Sequence, residues 1–161
     1  MISIWSSKMK IELYNVSVTM AVPRATRGSR LLNMQAGVTM LLTIAALRAT
    51  PLRIILSATR YLNEHAPRAA TRDEAHAIIH AARRAASRWP GRAACLETSL
   101  TATWVAAFTG RAVTWCHGFR TQPYEFHAWI EVDGRPVAEP STTGVLAKTL
   151  TISPTPRMES R

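Results

Sequence analysis

The chain is poor in cysteine and lysine, and each shortage limits what the protein can be. Two cysteines, Cys95 and Cys116, cannot form the disulfide framework of a small secreted domain, so we expect a reducing, cytoplasmic location. Three of the 20 basic residues are lysines and the rest are arginines. Nucleic-acid-binding proteins often mix both and interleave exposed aromatic residues, so this composition does not favour a nucleic-acid partner.

Long hydrophobic runs are also missing. Residues 1–20 lack the compact apolar core and small-residue cleavage site of a secretory signal. The most apolar run, residues 36–47, is too short to span a bilayer and predicts a buried helix instead of a transmembrane segment. Because arginines flank this run, a role at a membrane surface stays open.

Positive charge is concentrated in the first part of the chain. The formal net charge is +10, and residues 21–92 hold twelve arginines against three acidic residues. These arginines alternate with alanine and leucine, which indicates solvated helix faces. The alternative interpretation is a binding surface for an acidic peptide or protein.

Helical patterns come first in the chain and strand patterns follow. A length of 161 residues with 47% apolar residues suits one domain. A capping box, Thr71 with Glu74, marks one helix start, and Pro90-Gly91 ends that helix. The predicted helices cover about residues 29–47, 52–62, 71–89 and 95–110, and the predicted strands about 111–119, 125–132, 135–139 and 146–152.

This order predicts an α+β fold with N-terminal helices and a small antiparallel sheet. We expect residues 1–19 to be a flexible extension and residues 154–161 a flexible tail. Residues 20–153 would form one domain, with a helical part at 29–110 and the sheet at 111–152.

Cys95 is the candidate nucleophile. It stands at the predicted start of a helix, where the helix dipole favours a thiolate and lowers the pKa of the thiol. Cys116 lies inside an alternating strand pattern, where a small core residue is expected. A thiol, an imidazole and a carboxylate then follow in the order Cys95, His127, Glu139, as cysteine hydrolases and acyltransferases require.

The distance between His127 and Glu139 depends on a hairpin loop. If residues 132–134 form a three-residue loop closed by Gly134, then His127 faces Glu139 across the two strands. Directly opposed residues have Cβ atoms roughly 5 Å apart, so the carboxylate could hold the imidazole. A two-residue Asp133-Gly134 turn would instead place Glu139 on the opposite face.

Other residues compete for these roles. Asp133 belongs to an ordinary turn, and Glu131 is expected to form a surface pair with Arg135. His117 is the rival base and could line the same cleft, but it has no paired acid.

A metal centre is not expected. His76 and His80 lie one turn apart on a predicted helix, yet no third ligand stands at a familiar spacing. The candidate site residues imply neither a metal nor an organic cofactor.

Three motifs together resemble the transglutaminase-like leader peptidases of lasso-peptide biosynthesis, in their stand-alone actinobacterial form. They are Cys95-Leu-Glu, Val113-Thr-Trp-Cys-His-Gly-Phe-Arg120, and His127-Ala-Trp-Ile-Glu-Val-Asp-Gly-Arg-Pro-Val-Ala-Glu139-Pro140. The resemblance covers residues 71–153 through motifs and residues 29–70 through the arginine- and leucine-rich helices.

The resemblance implies a transglutaminase-like, papain-like core and a cysteine peptidase that removes the leader from a ribosomally made precursor. It carries the nucleophile over to Cys95, the base to His127 and the third residue to Glu139. That third position often holds Asp in the family's wider circle, and Glu adds a methylene to the side chain.

The resemblance also implies partners. They are the leader region of the precursor, a small leader-recognition protein supplied in trans, and as a further candidate the ATP-dependent cyclase that forms the macrolactam after cleavage. Two alternatives stay open. One is an amide acyltransferase with the same three residues, and the other is a non-enzymatic basic adaptor that binds peptide.

Overall fold

The structure is a computed structural model that describes residues 30–91 and 93–154. The predicted extension at residues 1–19, and the predicted tail beyond Pro154, lie outside these residues. Four helices precede a four-stranded antiparallel sheet, which confirms the predicted α+β class. In chain order the elements are α1 (Arg30–Ala49), α2 (Leu52–Glu64), β1 (Arg68–Ala69), α3 (Arg72–Ser87), α4 (Cys95–Phe108), β2 (Arg111–Ala112), β3 (Thr114–Thr121), β4 (Tyr124–Val132), β5 (Arg135–Pro136), a 3₁₀ helix (Ser141–Val145) and β6 (Ala147–Ile152).

Helix α4 is the centre of the fold. Residues 99–106 are all buried, and α4 contacts the other three helices as well as β2, β3 and β4. A helix that packs on every side in this way is buried all round. Its buried hydroxyl groups have partners, since Thr103 Oγ1 donates to the Ser99 carbonyl and Thr101 Oγ1 lies 3.5 Å from Met40 Sδ.

Two tryptophans attach α4 to its neighbours. Trp115 Nε1 on β3 donates to Ser99 Oγ at 2.9 Å, and Trp104 Nε1 on α4 donates to Thr59 Oγ1 of α2 at 2.9 Å. Ser99 lies one turn after Cys95, so the first of these bonds fixes the start of α4 relative to the sheet. Both bonds are buried, and their loss would leave unsatisfied polar groups.

Helix α1 is buried on one face alone, which corrects the prediction of a fully buried helix. Its inner face packs against α3 and α4. Its outer face exposes large apolar side chains, among them Met34 at 68% and Val38 at 59%. Among the described helices, α1 alone is long and apolar enough to cross a membrane by length and composition, and 28% of its most apolar window is buried. Buried core helices of soluble proteins and signal sequences meet the same criterion.

The capping box of α3 is present as predicted. Thr71 Oγ1 accepts from the Glu74 amide, and Glu74 Oε2 accepts from the Thr71 amide. Glu74 also pairs with Arg68 and Arg111, which stand on the short parallel pair β1–β2. These contacts hold the start of α3 beside the β1–β2 pair.

The sheet has the strand order β5-β4-β3-β6. Register shifts between His117 and Gly118 where β3 meets β6. A Cβ atom at Gly118 would lie 2.8 Å from the Ala147 carbonyl oxygen and 2.9 Å from Trp129 Cη2. Glycine is therefore required there for the close approach of β6 and the indole ring.

We predict opposite effects for alanine at two glycines. Gly118→Ala should lower the free energy of unfolding by about 1–3 kcal/mol, because the methyl group clashes with backbone. Gly37→Ala should raise it by roughly 0.5–1 kcal/mol, because Gly37 is inside α1 and a methyl group there would meet no atom of another element within 4 Å. Urea unfolding measures both, and equal stability of the two variants would contradict the packing argument.

Candidate active site

Cys95 is the first residue of α4, as predicted. The preceding residue, Ala94, has no side chain that can cap the helix, although Glu97 Oε2 accepts from its amide at 3.0 Å. The amides of the first turn are therefore not occupied by a capping side chain. Free amides at a helix start favour a negative charge, such as a thiolate or an oxyanion formed beside it.

His127 on β4 lies next to Glu139, which follows β5. The Nε2–H group of His127 donates to Glu139 Oε2 at 2.8 Å. The Glu139 side chain is 6% exposed, so this bond is shielded from water. Since Nε2 faces the carboxylate, Nδ1 is the nitrogen left for the Cys95 thiol.

The hairpin that precedes Glu139 differs from the prediction. Val132 pairs with Arg135, so the loop is the two-residue Asp133-Gly134 turn and not a three-residue loop. Both turn residues have positive φ, 51° and 70°, as a type I′ turn requires. This turn matches the twist of the flanking strands, which explains why it forms here.

Glu139 reaches His127 although the loop is even-numbered. The ladder continues only as far as Val137, whose amide donates to the Ile130 carbonyl at 3.0 Å. Ala138 then has φ 56°, in the left-handed region, and the extended backbone ends. The predicted return strand over 135–139 is therefore shorter than expected, and Glu139 turns toward His127 outside the strand register.

Arg83 completes the arrangement, and sequence reasoning missed it. From α3, its Nη2 donates to Glu139 Oε1 at 2.6 Å and its Nη1 donates to the Ala138 carbonyl at 2.8 Å. Both carboxylate oxygens of Glu139 are thus hydrogen-bonded. Arg83 belongs to an Arg-Arg pair in an arginine-rich helix, so no local signal separates it from Arg84, which donates to Asn33 Oδ1 instead.

The electrostatics of the two thiols differ. A hydrogen bond to His127 is the main cause that lowers the pKa of the Cys95 thiol, and the amides of Ala128 and Leu96 add to it. The same bond, followed by the one to Glu139, raises the pKa of His127 to about 9. Both shifts favour a thiolate beside an imidazolium over the neutral pair. Burial raises the pKa of Cys116 to about 12.

These groups meet in a cleft of about 220 Å³. Its remaining walls are mostly small side chains, which leaves room for an extended backbone beside the thiol. The lining residues are Ile79, Arg83, Ala93, Ala94, Cys95, Thr98, Ser99, His127, Ala128 and Glu139.

The rival residues stand elsewhere. His117 is on the opposite sheet face from His127, because His127 pairs with Gly118, and its Nδ1 contacts Thr149 Oγ1 at 3.0 Å. It does not line the cleft. Asp133 is exposed at the turn.

Glu131 was predicted to form a surface pair with Arg135, and this is wrong. It is 2% exposed, accepts from Trp129 Nε1 at 2.9 Å and pairs with Lys148 Nζ at 2.7 Å. The two-residue turn pairs it with Pro136, and Lys148 reaches its side chain from β6, two strands away in the same sheet.

Residues typical of a metal centre are not clustered in the described ranges. His76 and His80 stack with ring centroids 6.2 Å apart on α3. Among residues 30–91 and 93–154, no three His, Cys, Asp or Glu side chains form a group that could hold a metal ion.

Comparison with family models gives one match, the transglutaminase-like superfamily, over residues 38–151. The chain belongs to the transglutaminase-like superfamily. The match spans α1 to β6 and includes Cys95, His127 and Glu139. Neither the comparison with curated proteins nor that with solved structures gives a match.

We predict that iodoacetamide separates the two thiols of the folded protein. Cys95 should react near neutral pH, below the pH that an ordinary thiol needs, because its thiolate is stabilised. Cys116 should react only after unfolding, because it is fully buried. Peptide mass spectrometry assigns the site, and His127→Ala should shift the Cys95 reaction to higher pH. Preferential modification of Cys116 would reverse the assignment.

We also predict that substitutions of Glu139 and Glu131 separate effects on the candidate site from effects on the fold. Glu139→Gln should lower Cys95 alkylation near neutral pH, because the amide cannot stabilise the imidazolium. Glu131→Gln should leave that rate unchanged and lower the free energy of unfolding by about 1–3 kcal/mol, because Lys148 and Trp129 lose a buried carboxylate. If Glu131→Gln alters alkylation in a fully folded variant, the separation fails.

Proposed function

We propose that this protein is a cysteine peptidase that removes the leader from a ribosomally synthesised lasso-peptide precursor before macrolactam formation. The observation that carries the proposal is a thiol at a helix start beside an imidazole whose Nε2 donates to a buried carboxylate. This set stands in a transglutaminase-like domain, whose chemistry is acyl transfer through cysteine. The three motifs named above support the narrower substrate class.

The proposed reaction begins with attack of the Cys95 thiolate on the scissile carbonyl carbon. The amides at the start of α4 would stabilise the oxyanion. The His127 imidazolium gives its proton to the leaving nitrogen, the C–N bond breaks, and a thioester remains on Cys95. His127 then deprotonates a water molecule, whose oxygen attacks the thioester carbonyl. The C–S bond breaks, the Cys95 thiolate is regenerated, and the leader leaves with a free carboxylate. Glu139 holds the ring and stabilises its charge throughout.

A second candidate is an amide acyltransferase on the same residues. Membership of the superfamily favours it, because the thioester step is shared and only the acceptor changes. An amine would then replace water. The product mass distinguishes the two, since hydrolysis adds the mass of water and aminolysis adds an amine.

The leader is proposed to arrive with a separate recognition protein in the cytoplasm. The helical layer offers exposed arginines for an acidic partner, among them Arg48, Arg53 and Arg60. The macrolactam cyclase is a further proposed partner, acting on the released core peptide. The same arginines would serve a non-enzymatic adaptor, so activity has to be measured directly.

The test is cleavage of a purified precursor, followed by mass spectrometry. The native chain should be slow alone and much faster with the leader-recognition protein. Cys95→Ala and His127→Ala should both be inactive, and the double variant no worse, because these residues act as a unit. Cys116→Ala should keep most of its activity with a stability loss on the order of 1 kcal/mol. Leader removal by Cys95→Ala would contradict the role of Cys95 as the nucleophile. Equal rates with and without the recognition protein at all precursor concentrations would contradict the need for that partner.

A further inference from the structure

Arg83 contacts Glu139, the proposed partner of His127. Among the hydrogen bonds of the described residues, none joins Arg83 to the Cys95 thiol or to the His127 imidazole. We infer that Arg83 is a positioning residue, which holds Glu139 in the one orientation that serves His127. The expected effect on kcat rests on the proposed function. The positioning role itself rests on the geometry of the His127–Glu139 pair.

The need for such a residue follows from the hairpin. A two-residue turn directs the side chain of residue 139 away from His127 if the strand stays extended. The contact therefore depends on the left-handed conformation at Ala138. Alanine does not favour that conformation, so other contacts must stabilise it.

Arg83 supplies those contacts to both residues concerned. Its Nη1 bonds the Ala138 carbonyl and its Nη2 bonds Glu139 Oε1. Glu139 Oε2 is then directed at His127 Nε2. The planar guanidinium fixes backbone and carboxylate together, which a single ammonium group cannot do with the same geometry.

The platform that carries Arg83 is rigid. Ile79 and Ala82, on the preceding turn of α3, are 2% and 0% exposed. The N-terminus of α3 is closed by its capping box. The Arg83 side chain itself is 40% exposed, so its role comes from the two directed bonds and not from a desolvated charge.

The test compares Arg83→Gln, Arg83→Lys and Arg88→Gln by the pH profile of Cys95 alkylation, which needs no substrate. Arg88 is the C-cap of the same helix, is exposed, and has a side chain in none of the contacts to residues 138 and 139. Arg83→Gln should raise the midpoint of the Cys95 alkylation profile by about one pH unit. At a given pH below the midpoint, the thiolate fraction then falls about tenfold. Arg88→Gln should match the native profile.

Arg83→Lys decides between orientation and simple charge. It keeps the positive charge but loses the paired bonds, so the midpoint should rise by at least half of the Arg83→Gln shift. A native-like profile for Arg83→Lys would overturn the inference, because charge alone would then be sufficient. An unchanged midpoint in folded Arg83→Gln, or an equal shift in Arg88→Gln, would overturn it as well.

Cleavage assays separate this inference from the proposed function. With an active native protein, Arg83→Gln should lower kcat by about tenfold and change KM less, because the two bonds of Arg83 act on residues 138 and 139. If kcat is unchanged in this variant, the positioning role fails while the peptidase assignment stands. If neither the native protein nor any variant cleaves the precursor, but the alkylation midpoint still shifts, the substrate proposal fails and the role of Arg83 at the pair stands.

Discussion

The burial of α4 on every side is the constraint from which the rest of the site follows. A helix with one free face can rotate or shift with modest loss of contact, whereas α4 is enclosed by three helices and the sheet. The Trp115–Ser99 bond adds a directional restraint one turn from Cys95. The thiol is therefore held beside β4 by the core itself.

The carboxylate reaches the site by a different route. Glu139 is outside regular structure, and its direction is decided by the φ angle of one alanine and by two bonds from α3. The core thus fixes the thiol and the imidazole, and local backbone conformation fixes the acid.

Local signals in the sequence predicted the helices and strands better than the contacts between them. The capping box at Thr71 and the helix start at Cys95 each depend on a few adjacent residues, and both are present. The three-residue hairpin loop was predicted wrongly, because Asp133-Gly134 forms a two-residue turn instead. Glu131 was misplaced because its partner, Lys148, comes from a strand that joins the sheet on the far side of β3. Arg83 was missed for a similar reason, since 56 residues separate it from Glu139. Contacts over such separations leave no pattern in the residues that form them.

The two cysteines show how position decides the chemistry of one residue type. Cys116 on β3 packs against Trp129 and Leu146, where burial opposes the thiolate. Cys95 is also partly buried, yet its hydrogen bonds to His127 and to two amides outweigh that burial and lower its pKa. Desolvation is therefore present at both sites, and directed donors decide the outcome. The helix start matters because it supplies such donors without a capping side chain to compete for them, and the imidazole matters because the Glu139 carboxylate allows it to remain protonated beside the sulfur.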